Sequence, residues 1–383
     1  MAEERESSAD SFTSANEGTP LIWRAVGKPS LPSPASSSPS PSSPSFLAKL
    51  NALVLRAIDA CNPCVSRRPW RLFEICDLWL FPPFLRRRCQ AMLTAEWTHR
   101  LPLLQSASPA ELAAEVILGA LDEIDGADAD GDGEGLTVVD FCSGGGGPVP
   151  VIERLVNQKR AQRKQQPIPF RLTDISPHID AWMAAAAQSS HLSFVPQSVD
   201  ATDPPPAVIS TTNNSPSDPE YTSGTRVFRL YCLAFHHFPD DLARRTLVST
   251  LGTADGFAIL ELQDRRLLSL LMMALDFGLV LLVTPFWFWN DPLQLLFTYL
   301  LPVLPAVLSF DGAVSALRTR TFGEVVRLVE AGREGEAGVV GEVGTLERWG
   351  WRFRGGRELH TWPIGYFNYV VGTRVQGGGG GGL

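Results

Sequence analysis

Four consecutive glycines, Gly144 to Gly147, follow the stretch LTVVDFCS and precede PVPVIERL. An apolar run that ends in an aspartate and opens into glycines before a helix suits ligand binding at the carboxyl edge of a parallel sheet. Glycine lacks a Cβ, so its backbone approaches a ligand closely and takes positive φ. No Gly-Lys-Ser/Thr follows, which excludes a phosphate-binding P-loop. The third glycine of a dinucleotide fingerprint is also missing, because Val149 and Pro150 occupy the positions that need it. Further along, Asp174, Asp200, the pair His236-His237, and Glu261 each fall at or near the end of an apolar segment. Carboxylates at such ends accept hydrogen bonds from ligand hydroxyls, and histidine or glutamate there can act as a base. Structural roles compete with each of these. Asp140 can anchor the loop amides, Asp174 can support the start of the next helix, and the histidines can satisfy backbone groups at the sheet edge.

The elements that must position these residues are legible as alternating patterns. Apolar residues at helical spacing begin at Phe46, and helices are predicted over 84–100 and 109–124. The last of these has Ser108 as cap, Pro109 at its first position and Glu111 completing a capping box. Strands are predicted at 136–141, 169–176, 192–201, 227–235 and 256–262, with helices from about Val149, through Ala187, and over 240–252. Short apolar strands alternating with helices imply an α/β fold whose mostly parallel sheet is covered on both faces. FGEVVRLVEAG is a further helix, and WRF (351–353) and YFNYVVGT (366–373) are closing strands.

Asp140-x-Cys142-x-Gly144-x-Gly146 resembles motif I of the class I S-adenosylmethionine-dependent methyltransferases, with Cys142 in place of the first glycine. Asp174, ending LTDIS, matches the acidic residue of that family's second strand. VDATD (199–203) is similar to its adenine-contacting segment. LAFHHFPDD (233–241) and AILELQDR, with Glu261, resemble its fourth and fifth strand ends. The resemblance covers about 136–263 and is expected to continue to the closing strands near 374. It implies a Rossmann-like sheet of seven strands, S-adenosylmethionine as cofactor, and cofactor contacts from Asp140, Cys142, Gly144, Gly146, Asp174, Asp200 and Ala201. Methyl transfer to oxygen or nitrogen is helped by a base, and His237, His236 and Glu261 stand where one can act. The strand-four end reads AFHH, without the Asn-Pro-Pro-Tyr or Asp-Pro-Pro-Tyr of base and glutamine methylation, so a hydrophobic small molecule or lipid acceptor is expected. A non-catalytic membrane-acting relative and a nicotinamide-dependent oxidoreductase are the alternatives.

Residues 267–289 and 293–310 are two apolar runs separated by Asn290-Asp291-Pro292, with Asp276 inside the first. The first run is long enough to span a bilayer. A single span would place the two halves of the sheet on opposite sides of a membrane. The runs therefore form a membrane hairpin, an interfacial segment anchored by the Trp and Phe cluster at 286–289, or a buried cap over the site. WNDPLQLLFTYLLPVLPAVLSFDGAVSALR also resembles methyltransferase-like proteins carrying FTYL-x-P and DG-x-VS-x-LR, and LWLFPPFL (78–85) matches their Trp-Phe-Pro element. Asp311, Ser315 and Arg318 then line the pocket, or serve as helix caps and surface pairs.

Composition bounds the rest. The chain has 383 residues, 44% of them hydrophobic, and a formal net charge of −8, so no basic field points to nucleic acid. Cys61-x-x-Cys64 has no second Cys-x-x-Cys or nearby histidine to complete a zinc site, and no metal is expected. Six cysteines in so long a chain read as reduced thiols. Arginines 67, 68, 71 and 86 to 88, among aromatic residues, suit anionic headgroups or a solvated helical face. The organisation expected is a disordered Ser/Pro-rich tail (1–44), a helical region and linker (45–135), the cofactor-binding core (136–263), the apolar insertion (264–311), the closing elements (312–374) and a Gly-rich tail (375–383). The opening residues carry no apolar signal core, so a cytoplasmic location is expected, with membrane association through 267–310 left open.

Overall fold

The computed structural model describes residues 46–126, 135–209, 226–332, 341 and 343–375. The expected tails and most of the linker near 126–135 and of the loop at 204–225 lie outside these residues. Helix α1 (Phe46–Ala60) leads into one compact unit that begins at Asn51. Helices α2 (Pro83–Thr98) and α3 (Pro109–Gly126) precede the sheet. The capping box of α3 forms as read: the Ser108 amide donates to Glu111 Oε2 at 2.7 Å, and the Glu111 amide donates to Ser108 Oγ at 3.3 Å.

The sheet then builds by alternation. Strand β1 (Leu136–Phe141) leads to α4 (Val149–Gln162), β2 (Phe170–Thr173) to α5 (Ile179–Ala186), and β3 (Leu192–Phe194) to the single turn α6 (Pro206–Ile209). Next come β4 (Arg226–Cys232), α7 (Asp240–Thr253) and β5 (Gly256–Glu261). These five strands are parallel, in the order β3-β2-β1-β4-β5. Every residue of β1 and of β5 is buried, as a parallel strand covered on both faces requires. Helices α3, α4 and α5 cover one face through Ile117, Ile152 and Trp182. On the other face α7 joins α11 (Phe322–Glu330) through Leu247 and Val326.

After β5 come α8 (Leu267–Trp287), the turn α9 (Pro292–Leu295), a π-helical turn (Leu296–Leu300) and α10 (Val303–Arg318). The second apolar run is therefore broken, and its two parts meet at 77° beside Pro302. Beyond α11 the chain forms β6 (Gly344–Arg348), β7 (Trp351–Thr361) and β8 (Gly365–Arg374). Strand β8 inserts antiparallel beside β5, and β7 and β6 follow at the edge. Among the described residues the sheet has eight strands where seven were expected. The extra strand is β6, folded back on β7 through Trp349 and Gly350, both at positive φ (54° and 73°). That conformation matches the tight turn a twisted hairpin favours. Strands β2 and β3 are shorter than expected, because Asp174 and Ser198 to Asp200 belong to the loops at the sheet's carboxyl edge.

Close strand packing gives a test of this arrangement. A Cβ at Gly372 would stand 2.2 Å from Cε1 of the fully buried Phe257. Gly372→Ala is expected to destabilise the protein by about 1–3 kcal/mol, read as a lower urea midpoint with an unchanged slope.

Candidate active site

The residues singled out in the sequence gather in two places along the carboxyl edge of the parallel strands. The first is the glycine loop. Asp140 is only 1% exposed, and neither carboxylate oxygen accepts a hydrogen bond. Burial, with the Asp174 charge nearby, pushes its carboxyl well above the usual range against a smaller opposing pull from Ser143. Cys142 has φ 63°, the left-handed region that glycine enters freely, which accounts for glycine as the usual residue there. Burial raises its thiol as well, which keeps it neutral.

The loop is fixed from the neighbouring strand. The Gly144 amide donates to Asp174 Oδ2 at 2.8 Å, and the Trp182 indole donates to the Gly144 carbonyl at 2.8 Å. Asp174 Oδ1 accepts from the Ser176 amide at 2.7 Å, so this side chain does support the following turn. Each of its oxygens retains a further lone pair. Gly146 has φ 96° and sits against Pro150 and Leu172. Asp200 is exposed and bonds its own loop through the Thr202 amide and hydroxyl, both at 2.8 Å. Ala201 is buried, and its carbonyl accepts from the buried guanidinium of Arg229 at 3.3 Å.

The second place is the end of β4. The chain turns through Leu233 at φ 53° into a 3₁₀ turn, Phe235–His237. His236 is 3% exposed; its Nδ1 lies 2.8 Å from Glu261 Oε2, and its amide donates to Glu261 Oε1 at 3.1 Å. His237 stacks beside it with ring centroids 4.2 Å apart. Its Nδ1 is 3.2 Å from Asp77 Oδ2. Both Nε2 atoms face Glu74, at 3.5 and 3.7 Å from its carboxylate oxygens. Burial opposes a charge on His236, but Glu261 and Glu74 outweigh it and push the imidazole up to about 10. Burial likewise opposes the charge of Glu74, and His236, His237 and Arg318 hold its carboxyl down to about 2.

Glu74 and Asp77 were not legible as site residues. They precede the sheet, and nothing in their spacing ties them to histidines 160 residues onward. The DG-x-VS-x-LR stretch was the usable signal. Arg318 Nη1 and Ser315 Oγ both donate to Glu74 Oε1 at 2.9 Å, and Asp311 accepts from the amides of Ile75 and Cys76. Among the described residues, the three ligand-type side chains whose donor atoms all lie within 4.8 Å of one another are Glu74, His236 and His237; Cys76 adjoins Cys89 and Asp311. The arginines are partly spent inside the fold. Arg71 pairs with Asp240, Arg88 pairs with Asp291, and Arg86 donates to the carbonyls of Cys76 and Leu78. Arg67, Arg68 and Arg87 are exposed.

Above the histidines lies a cavity of about 250 Å³, walled by α2, α8 and α10. Leu233, Leu262, Met272 and Met273 contribute apolar surface. Gln90, which also lines it, reaches the glycine loop, 3.8 Å from where a Cβ of Gly145 would be. The cavity and the loop are therefore adjacent. Asp276, buried in the middle of the first apolar run, faces the cavity together with Glu96. Burial pushes Asp276 up to about 7, and burial with Asp276 beside it keeps Glu96 protonated.

No protein-family model matches the sequence, and no curated protein matches it either. Several solved structures align with the chain. The plantazolicin methyltransferase BpumL in complex with SAH is 10% identical over 85% of this chain and 99% of that one, with a TM-score of 0.39. A magnesium protoporphyrin IX methyltransferase from Synechocystis PCC 6803 with bound SAH is 14% identical over 69% and 83%, at 0.33. A putative O-methyltransferase from Nostoc punctiforme PCC 73102 is 13% identical over 86% and 70%, at 0.37. These superpositions are loose. The sheet itself, parallel in the order β3-β2-β1-β4-β5 and continued by an antiparallel strand beside β5, has the class I methyltransferase arrangement.

The carboxyl pair in the cavity wall gives a pH dependence. Asp276 has a folded pKa above its unfolded value, so folding takes up a proton between them. The contribution is favourable in acid and is lost as pH rises from about 4 through about 7. Asp276→Asn is expected to match the parent near pH 4. At pH 8 it should exceed the parent by up to about 4 kcal/mol in urea unfolding.

Proposed function

We propose that the chain is an S-adenosylmethionine-dependent methyltransferase acting on a hydrophobic small molecule or lipid. The observation that carries the reading is Asp140. A carboxylate 1% exposed, with both oxygens unpartnered, stands at the mouth of a glycine loop on the carboxyl edge of β1. Buried polar atoms are normally satisfied, so an orphan here is a site for a ligand's donor group. Asp140 takes the amino group of the cofactor, Cys142, Gly144 and Gly146 present backbone, and Asp174 keeps lone pairs for the ribose hydroxyls. Asp200 and Ala201 flank the base. S-adenosylmethionine supplies a methyl group already activated on a sulfonium. The chain's own task is then alignment and exclusion of water. His236, His237 and Glu261 form the polar floor that orients the acceptor's nucleophilic atom, and the apolar cavity walls hold its body.

Helix α8 supports a lipid-facing setting. Its buried residues include Ser269, Asp276 and Thr284, whereas Leu267, Leu271, Leu275, Leu282 and Phe286 are exposed. Only 28% of its most apolar stretch is buried. Phe286 (75% exposed) and Trp289 (73%) at its end, and Trp79 (86%) elsewhere, are exposed aromatics of the kind that suits the interfacial zone of a bilayer.

Two experiments test the reading. Calorimetric titration of S-adenosylhomocysteine into the full chain in mild detergent is expected to show micromolar binding. Asp140→Ala should weaken it at least about tenfold, the weight of one charge-assisted hydrogen bond. A folded parent that binds neither S-adenosylhomocysteine nor S-adenosylmethionine would overturn the assignment. Separately, the detergent-free chain should float with phosphatidylcholine vesicles, and Phe286→Ser with Trp289→Ser should abolish flotation. Undiminished flotation of the double variant would remove this surface from membrane contact.

A further inference from the structure

We propose that Glu74, His236 and His237 form a binding site for one divalent transition-metal ion, open to the cavity. The three side chains each offer a ligand atom, and these atoms lie within 4.8 Å of one another. Donors around an ion at 2.0–2.2 Å stand about 3–3.5 Å apart, so small side-chain rotations close the set. His236 Nε2 is buried, makes no hydrogen bond and faces Glu74. Two imidazoles with one carboxylate suit Zn²⁺, Fe²⁺ or Mn²⁺.

What lies behind the three ligands favours an ion more than the ligands alone do. A metal-bound histidine usually donates its other ring N–H to a carboxylate, which fixes the tautomer and turns the free lone pair inward. Here that support is present twice: His236 Nδ1 lies 2.8 Å from Glu261 Oε2, and His237 Nδ1 lies 3.2 Å from Asp77 Oδ2. Glu74 is supported too. Ser315 and Arg318 both donate to Oε1, and Oε2 faces His237 Nε2 at 3.7 Å. With neutral imidazoles, the carboxylates of Glu74, Asp77 and Glu261 stand around the pair, and the Arg318 guanidinium meets Glu74 and Asp77. A dication balances the remaining negative charge, displacing protons that otherwise do so. The acceptor's oxygen or nitrogen, or a water, completes the coordination from the cavity side. That last assignment rests on the methyltransferase reading; the ion site does not.

The test is calorimetric titration of Zn²⁺ into the chelator-treated full chain, in a Cys61→Ser, Cys64→Ser background that removes the exposed thiols. One Zn²⁺ per chain is expected, with affinity reduced roughly a hundredfold or more by His237→Ala. His237 is one-third exposed, so this variant should keep its fold, checked by its melting temperature. Zn²⁺ should raise the melting temperature of the parent and not of the variant. No Zn²⁺ binding by the parent, or equal binding by His237→Ala, would overturn the site. Parallel titration with S-adenosylhomocysteine separates the two readings. Cofactor binding without Zn²⁺ binding overturns the ion site alone. Zn²⁺ binding that depends on His237, without cofactor binding, supports the ion site and overturns the methyltransferase assignment.

Discussion

The arrangement of this site depends on one buried carboxylate. Glu74 is 6% exposed and lies on the segment between α1 and α2, far in sequence from everything it touches. A buried charge left unpaired would cost several kcal/mol, so its partners must be brought to it. They come from the end of β4 (His236, His237) and from the last turns of α10 (Ser315, Arg318). One carboxylate therefore joins the segment before the sheet, the carboxyl edge of the sheet, and the insertion after β5. Asp311 reinforces the joint by accepting from two amides of the 75–76 turn, at 2.6 and 2.9 Å. Removing Glu74 would leave Arg318 and two imidazoles without their common partner.

That joint explains why the cap has its own packing. Phe81, Leu85 and Cys89 of the N-terminal part pack against Leu304 and Val307 of α10, and Met92 and Ala95 pack against Val280 and Val283 of α8. These clusters are separate from the two that cover the sheet. The part of the N-terminal stretch around α2 and the 264–311 stretch, read as distinct pieces of sequence, thus build one roof. Gly312 permits the closest approach, since a Cβ there would stand 2.6 Å from Met273 Sδ. The cavity is the space left between roof and sheet edge.

The sheet was legible because its signals are local. LTVVDF, VFRLYC and GFAILE are apolar runs of strand length bounded by turns, and strands buried on both faces read that way. The capping box at Ser108 and Glu111 is local in the same sense. Strand β6 was not legible: GTLER is half charged or small, exposed along most of its length, and held by pairing to β7 alone. In the site, the glycine loop announced itself through spacing, whereas Glu74 and Asp77 did not. Their role arises only when chain segments 160 residues apart meet, and a single sequence carries no trace of that meeting. The left-handed conformation of Cys142 was equally hidden, although its place in the motif pointed to a residue standing in for glycine.

The first apolar run posed the sharpest conflict between composition and fold, and its burial pattern bears on it. A soluble core helix buries its apolar face and exposes its polar one. Helix α8 departs from this: Asp276 and Thr284 are buried together with Val280 and Val283, while leucines spaced four apart, Leu267, Leu271 and Leu275, are exposed. Spanning would require both legs of the hairpin to cross, but the second leg bends by 77° at Pro302, and Glu74 ties its far end to the sheet edge. The exposed leucines and Phe286 of a helix fixed to the sheet are the feature on which the proposed bilayer contact rests. In that contact the inner face of α8 lines the cavity while its outer face meets acyl chains. An apolar acceptor would then pass from lipid to the polar floor at His236 and His237 beneath one helix, without crossing bulk water.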